Sequence, residues 1–454
     1  MLMTAKIQDA ILRLSLTPVF YCDFSDLAAN SSELVGIVIT IPSHSLLFSL
    51  KSEKSRYESG VRDNLNDTMD SELKFPEGFL WGSATSSNQV EGGIVNNDWS
   101  EAARAGRIPD AGRACDHYNH YKEDFDIARE LGQNAHRFSI EWSRIEPEEG
   151  KFDDREIEHY RQVLSALKER GLEPMVTLWH YTLPLWFSKM GGFENQKSPE
   201  YFSRYCAYVV EKMGDIANFW ITINEPMVYA SFGYNKAAYP PFKKNFLTLI
   251  KVVDNLVTSH NMTYRKIKKI RPELSVGIAK EATGHESNHN PINIIKSSFI
   301  YCFWNQRFLR RISKSQDFIG LNYYMTRRFG IKESLEKTDM GWEIYPRGIY
   351  QCLVELKQYN KPIYITENGL ADATDTKRAK FIKDHLYWVH RAIQDGVNIR
   401  GYLYWSLLDN FEWAKGFDPR FGLVEVDYNT MVRTIRPSAY EYKKICEANS
   451  LLTD

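Results

Sequence analysis

A single-domain α/β fold, the (β/α)8 TIM barrel, is what the sequence predicts, and three observations predict it. Eight short apolar, β-rich runs alternate with amphipathic segments from Phe79 towards the C-terminus. Each run is near-continuously apolar rather than alternating, as parallel strands covered by helices must be. No Gly-x-Gly-x-x-Gly follows the first run, which favours a closed barrel over an open dinucleotide-binding sheet.

The strands are expected, in order, at Phe79–Ser86, Ala135–Ile140, Glu173–Trp179, Phe219–Glu225, Ser275–Glu281, Asp317–Tyr324, Pro362–Asn368 and Gly401–Asp409. Helices with one charged face are expected between them, among others at Glu156–Arg170, Pro199–Met213, Leu247–Ile270 and Arg378–Gln394. Gly171, Gly214 and Gly396 stand where helix ends call for a left-handed residue. The fifth unit is the plainest, and the segment after its strand shows no clean caps. Residues 74–450 make up the barrel on this reading.

Residues 1–73 differ from the rest. Leu34–Leu50 is apolar, but Gly36, Pro42 and His44 interrupt it and acidic residues precede it, which suits neither a signal peptide nor a membrane span of about 20 apolar residues. Lys51–Ser71 is polar and unpatterned, as in a linker. The expectation is an N-terminal extension that is disordered or not translated, with Met69 as the start. Native peptides upstream of Met69 in a mass spectrum would overturn the second option.

The chain has 454 residues, enough for a large core, and 57 Lys+Arg against 58 Asp+Glu leave a net charge of −1. That balance gives no electrostatic reason to expect nucleic acid or a membrane surface as partner. The 11 Trp and 26 Tyr serve either a large core or flat platforms for a sugar. Cysteines 22, 115, 206, 302, 352 and 446 are scattered, with no metal-ligand spacing, so reduced thiols and a cytoplasmic location are the default.

A barrel of this class carries its active site at the carboxyl ends of its strands. The fourth expected strand ends in Ile223-Asn224-Glu225-Pro226 and the seventh in Thr366-Glu367-Asn368-Gly369. A carboxylate there is costly to bury and needs a partner or a purpose. One Glu reads equally well as a structural salt bridge; two on facing strands are the equipment for glycoside hydrolysis. One must be ionised to attack and the other must hold a proton for the leaving oxygen. Arg137, near the end of the second strand, is the cation placed to keep Glu367 ionised.

These residues carry a resemblance. Phe79–Gly92 (FLWGSATSSNQVEG), His136–Arg144, Thr177–His180, Asn224-Glu225-Pro226, Asp317–Tyr324, the Glu367 motif and Tyr404–Trp413 appear in family order. The chain from about 74 to 447 thereby resembles glycoside hydrolase family 1, a family of β-glucosidases and β-galactosidases. The resemblance implies a retaining β-glycosidase with Glu225 as acid/base and Glu367 as nucleophile, about 5–5.5 Å apart. It implies supporting roles for Arg137, Asn224 towards the 2-hydroxyl and Tyr324 towards the nucleophile. Gln89, His180, Asn322, Trp405, Glu412 and Trp413 are expected at the sugar, with Trp342 and Phe421 as walls. The substrate implied is a small β-glycoside or oligosaccharide, most simply a β-glucoside with some β-galactoside or β-fucoside tolerance, and no cofactor or metal is called for. Self-association into a homo-oligomer is left open.

The chain departs from the family between Glu281 and Asp317 and between Tyr324 and Trp342, where it is compact, so a more open cleft is expected. Tyr181 follows His180 where many relatives have Trp or Phe, a mild change in the glycone wall. A 6-phospho-β-glucosidase is an alternative that Glu412 disfavours, because a carboxylate by the 6-position repels phosphate. A non-catalytic sugar-binding barrel is another, disfavoured because both carboxylates are present.

Overall fold

A computed structural model describes residues 72–453, together with an antiparallel pairing of Phe20–Tyr21 with Val38–Ile39. The chain divides into two compact units, Met1–Met69 and Asp70–Asp454. The expectations for the N-terminal extension, including a start at Met69, otherwise lie outside the described residues. The second unit closes slightly outside the expected 74–450, because Glu72–Lys74 pairs antiparallel with Ser450–Leu452.

Eight strands form the barrel: β1 Leu80–Ala84, β2 Ala135–Ser139, β3 Glu173–Thr177, β4 Phe219–Asn224, β5 Ser275–Ser287, β6 Phe318–Phe329, β7 Ile363–Asn368 and β8 Ile399–Trp405. Each is parallel to both neighbours, and β8 pairs with β1 to close the ring. A helix follows every strand: α1 His117–Glu130, α2 Asp154–Glu169, α3 Ser198–Met213, α4 Phe246–Ile270, α5 Pro291–Tyr301, α6 Arg347–Leu356, α7 Arg378–Gln394 and α8 Pro437–Ala448. One apolar layer lies between barrel and helices. A second fills the barrel floor, where Met175, Ile221, Phe318, Tyr364 and Leu403 meet. Phe219, Phe318 and Tyr364 pack there edge to face, a favoured aromatic geometry. The lower barrel is therefore solid, and polar side chains converge only above it.

Four local expectations need correction. Gly171 and Gly396 have φ of +70° and +78°, but Gly214 does not adopt a left-handed conformation. Its constraint is space: a Cβ there would stand 2.6 Å from the Val210 carbonyl oxygen. The fifth unit is properly capped, since the Asn290 side chain accepts from the Ile292 N–H and Pro291 occupies the first turn. Strands β5 and β6 run past Glu281 and Tyr324, remaining paired as far as Ser287 and Phe329. Conversely, β8 ends at Trp405, and Ser406–Asp409 is not strand.

The segment after β8 is pinned by a buried ion pair. Asp409 is inaccessible and accepts from Arg436 at 2.8 and 2.9 Å, from Arg420 at 3.3 Å and from the Gly422 N–H at 2.9 Å. Breaking such a pair leaves a buried charge undercompensated. Arg436→Met is expected to destabilise the enzyme by about 3 kcal/mol. Thermal unfolding checks this: Tm should fall clearly, and Asp409→Asn in the same chain should recover part of the loss. An unchanged Tm would refute it.

Candidate active site

The two glutamates expected to do chemistry sit where the ladder is irregular. Register shifts occur after Ile221 in β4 and after Ile365 in β7, and such bulges re-aim side chains at strand ends. Glu225 is the first residue beyond β4, with φ +44°, and its N–H donates to the Ala279 carbonyl of β5 at 2.8 Å. The helix Pro226–Tyr234 starts directly after it. Glu367 lies within β7, and the turn that follows needs Gly369, where a Cβ would fall 1.7 Å from the Trp405 carbonyl oxygen.

Their surroundings differ in kind. Glu367 is an acceptor for the fully buried Arg137 guanidinium and for the Tyr324 hydroxyl at 2.6 Å. Arg137 is itself fixed, donating to Thr177 Oγ1 at 3.0 Å, the Thr366 carbonyl at 3.2 Å and Asn224 Oδ1 at 2.6 Å. Among the described residues Glu225 has no cation as a hydrogen-bond partner. It accepts from Asn322 Nδ2 at 2.9 Å and from the Tyr181 hydroxyl. Burial, the charge of Glu367 and the charge of Glu281 push its carboxyl up to about 8. The site thus sets a carboxyl paired with an arginine against an acid that keeps its proton near neutral pH.

Asn224 links this pair to His180, its Nδ2 lying 3.1 Å from His180 Nε2. Since Asn224 Oδ1 faces Arg137, Nδ2 is the donor and His180 Nε2 the acceptor. Burial and the neighbouring Arg137 hold the imidazole well below its usual range, so it is neutral, with its hydrogen on Nδ1. That Nδ1 is buried and has no partner among the described residues. The ring lies nearly parallel to Trp405 and Trp413, at 6.0 and 5.8 Å. Gln89 Nε2 donates to Asn410 Oδ1, the Phe411 carbonyl and, at 3.3 Å, Glu412 Oε2. Burial and the charge of Glu367 raise the Glu412 carboxyl to about 8. Trp405 and Phe421 form a further apolar cluster with Tyr324 and Trp342 packed against it.

The thirteen residues expected at the site lie around the carboxyl ends of β1–β8, and the contacts of Asn322 and of Tyr181 add to what the sequence suggests. Asn322 was expected against the sugar. Its Nδ2 donates to Asn224 and Glu225, and its Oδ1 accepts from Thr366 at 2.7 Å, so it is also placed to orient the acid. Tyr181, read as a glycone wall, reaches Glu225 with its hydroxyl from a backbone φ of +76°. Glu281 was not singled out at all. It is buried at the end of the predicted fifth strand beside Lys280, at 2.8 Å, and its charge acts on Glu225. A buried Lys-Glu dipeptide ending an apolar strand was the available signal. No helix among the described residues is long and apolar enough to cross a membrane.

Comparison with known proteins agrees with this geometry. The model for glycosyl hydrolase family 1 matches residues 71–298 and 301–451. The chain is 35% identical to beta-glucosidase A of Acetivibrio thermocellus, over 84% of this chain and 99% of that protein. It is 30% identical to a beta-galactosidase of Pyrococcus woesei, over 84% and 98% of the two chains. Among solved structures it superposes on a beta-glycosidase from Pyrococcus horikoshii with a TM-score of 0.79 at 40% identity, covering 84% of this chain and 96% of that one. A beta-glucosidase from Thermotoga maritima, solved with glucoimidazole, gives 0.79 at 33% identity, covering 83% and 99%. With a closed eight-stranded barrel, two glutamates at the ends of β4 and β7, and a family match over nearly all of 71–451, the chain belongs to glycosyl hydrolase family 1 and is an O-glycosyl hydrolase of the β-glycosidase type.

Proposed function

We propose that the enzyme removes terminal non-reducing β-D-glucosyl residues from small β-glycosides or oligosaccharides with retention of configuration, and tolerates β-galactosides and β-fucosides. The observation that carries this is the asymmetry of the two carboxyls. Glu367, beside Arg137 and Tyr324, attacks the anomeric carbon, and the C–O bond to the aglycone breaks as Glu225 passes its proton to the leaving oxygen. The product of this step is a covalent glycosyl-enzyme. Once Glu367 is esterified, its charge no longer raises the Glu225 carboxyl, which then takes a proton from water as the water oxygen displaces Glu367.

The glycone is held by neutral groups. His180 offers Nδ1–H to a hydroxyl, Trp405 and Trp413 offer ring faces, and Gln89 with a protonated Glu412 forms a fork for adjacent hydroxyls. The Gln/Glu fork can meet an axial or equatorial hydroxyl, which suits glucose and galactose alike. Among the described residues none of the groups that shift Glu412 is a cation, which speaks against a 6-phosphate there; Lys415 is exposed. We also place the enzyme in the cytoplasm, a reading supported by free thiols at Cys115, Cys206, Cys302, Cys352 and Cys446, four of them buried.

Release of p-nitrophenol from the β-glucoside, β-galactoside, β-fucoside and 6-phospho-β-glucoside tests the assignment. The three unphosphorylated substrates should turn over and the phosphorylated one should not. A folded enzyme that cleaves only the phosphorylated glycoside, or none of the four, would refute it.

A further inference from the structure

We propose that the leaving-group side of the site recognises an anionic aglycone, whose carboxylate or phosphate is held by Arg327 and Lys236 over the Trp304 ring; this rests on the β-glycosidase reading above. The argument follows the contacts outward from Glu225 in both directions. On one side the Tyr181 hydroxyl touches Glu225, and the Tyr181 ring lies 6.1 Å from Tyr239. Tyr239 packs at 4.8 Å on Phe232, whose face carries the Lys236 ammonium at 4.2 Å. On the other side the charge of Glu281 acts on Glu225, and Lys280, paired with Glu281, reaches the Trp304 ring at 5.9 Å. The Arg327 guanidinium lies 5.3 Å over that same ring. Lys236, exposed at the end of the first path, is near enough to Arg327 for the two charges to interact. Contacts thus lead from the acid to aromatic faces and cations in both directions.

The charges along these contacts do not cancel. Lys280 is matched by Glu281. Arg328, the next residue along β6, holds Glu286 at 3.2 Å and Glu343 at 3.4 Å. Arg327 has no such partner among the described residues: its Nε is buried without an acceptor, and burial alone lowers its basicity. Trp304 Nε1 is likewise buried without an acceptor. Buried N–H donors without acceptors, as on Arg327 and Trp304, are unfavourable until an acceptor arrives. A planar carboxylate or a phosphate suits the guanidinium fork, and an aryl or sugar body suits the aromatic faces. β5 and β6 stay paired as far as Ser287 and Phe329, and β6 carries Arg327 five residues past Asn322, which donates to Glu225.

The test compares 4-carboxyphenyl and 4-phosphonophenyl β-D-glucosides with the neutral 4-carbamoylphenyl β-D-glucoside on wild type, Arg327→Met and Lys236→Met. The charged-to-neutral ratio of kcat/KM should fall about tenfold in Arg327→Met and less in Lys236→Met, and should shrink with added salt. The anion whose ratio falls more is the one the site fits. Titration calorimetry of 4-hydroxybenzoate against 4-hydroxybenzamide reads the same preference without turnover. Inert wild type with selective, Arg327-dependent binding of the benzoate would refute the hydrolase reading and keep this one. Ratios and binding that are the same in wild type and both variants overturn the anionic aglycone.

Discussion

Glu367→Gly is expected to lower kcat for p-nitrophenyl β-D-glucoside by at least about 10⁴-fold, with KM changed far less, because no other group in the site can form the glycosyl bond. Glu225 is held by Asn322 and Tyr181 and Glu412 by Gln89, so neither takes the place of Glu367 beside Arg137 and Tyr324. Arg137 and Tyr324 would then surround a gap in which a small anion can sit. Azide should therefore restore turnover and give the α-glycosyl azide, since it attacks from the face that Glu367 occupied. Chromatography of the product reads the configuration. A β-azide, or a Glu367→Gly enzyme that keeps most of its activity, would remove Glu367 from the nucleophile role.

The specificity of that prediction reflects how much of the site was legible in the sequence. The strands were readable because a barrel strand is buried on both faces, so that Phe219–Asn224 and Ile363–Asn368 read as apolar runs ended by polar residues. Glu225 and Glu367 stood out because a carboxylate at such an end is costly unless it is used. Arg137 was legible for the same reason.

Residues acting across the barrel were harder to see. Nothing local to Asn322 shows that its amide bridges Asn224 and Glu225 while accepting from Thr366; that needs β4, β6 and β7 side by side. The hydroxyl of Tyr181 reaches Glu225 only because the backbone takes φ +76°, which its sequence does not advertise. Glu281 influences Glu225 through the β4–β5 register that aligns Asn224 with Ala279. The extensions of β5 and β6 were missed because Gly284, His285, Glu286, Arg327 and Arg328 break the apolar pattern once the strands leave the barrel wall. Their pairing is with each other, outside the core, so hydrophobicity carries no trace of it.

Glu225→Gln is expected to split substrates by their leaving groups. Unactivated alkyl or sugar aglycones need the proton of Glu225, and kcat/KM for them should fall by about 10²–10⁴-fold. A dinitrophenyl glucoside needs no acid, so its first step should survive while the second, now without a base, slows. The glycosyl-enzyme should accumulate and KM should drop with kcat, and azide should release the β-glycosyl azide, the opposite anomer to that from Glu367→Gly. The pH profile gives an independent reading. In wild type the acid form of Glu225 is the active one, so kcat/KM should fall as pH rises through about 8, and this limb should vanish in Glu225→Gln. Stability follows the same sign. A carboxyl raised in the folded state contributes stability that is fully present below its unfolded pKa and lost as pH rises through about 8. Glu225→Gln should therefore gain Tm relative to wild type at about pH 9 and not at about pH 4. An alkaline limb that persists in Glu225→Gln, with equal losses for alkyl and dinitrophenyl glucosides, would mean that the proton comes from another group.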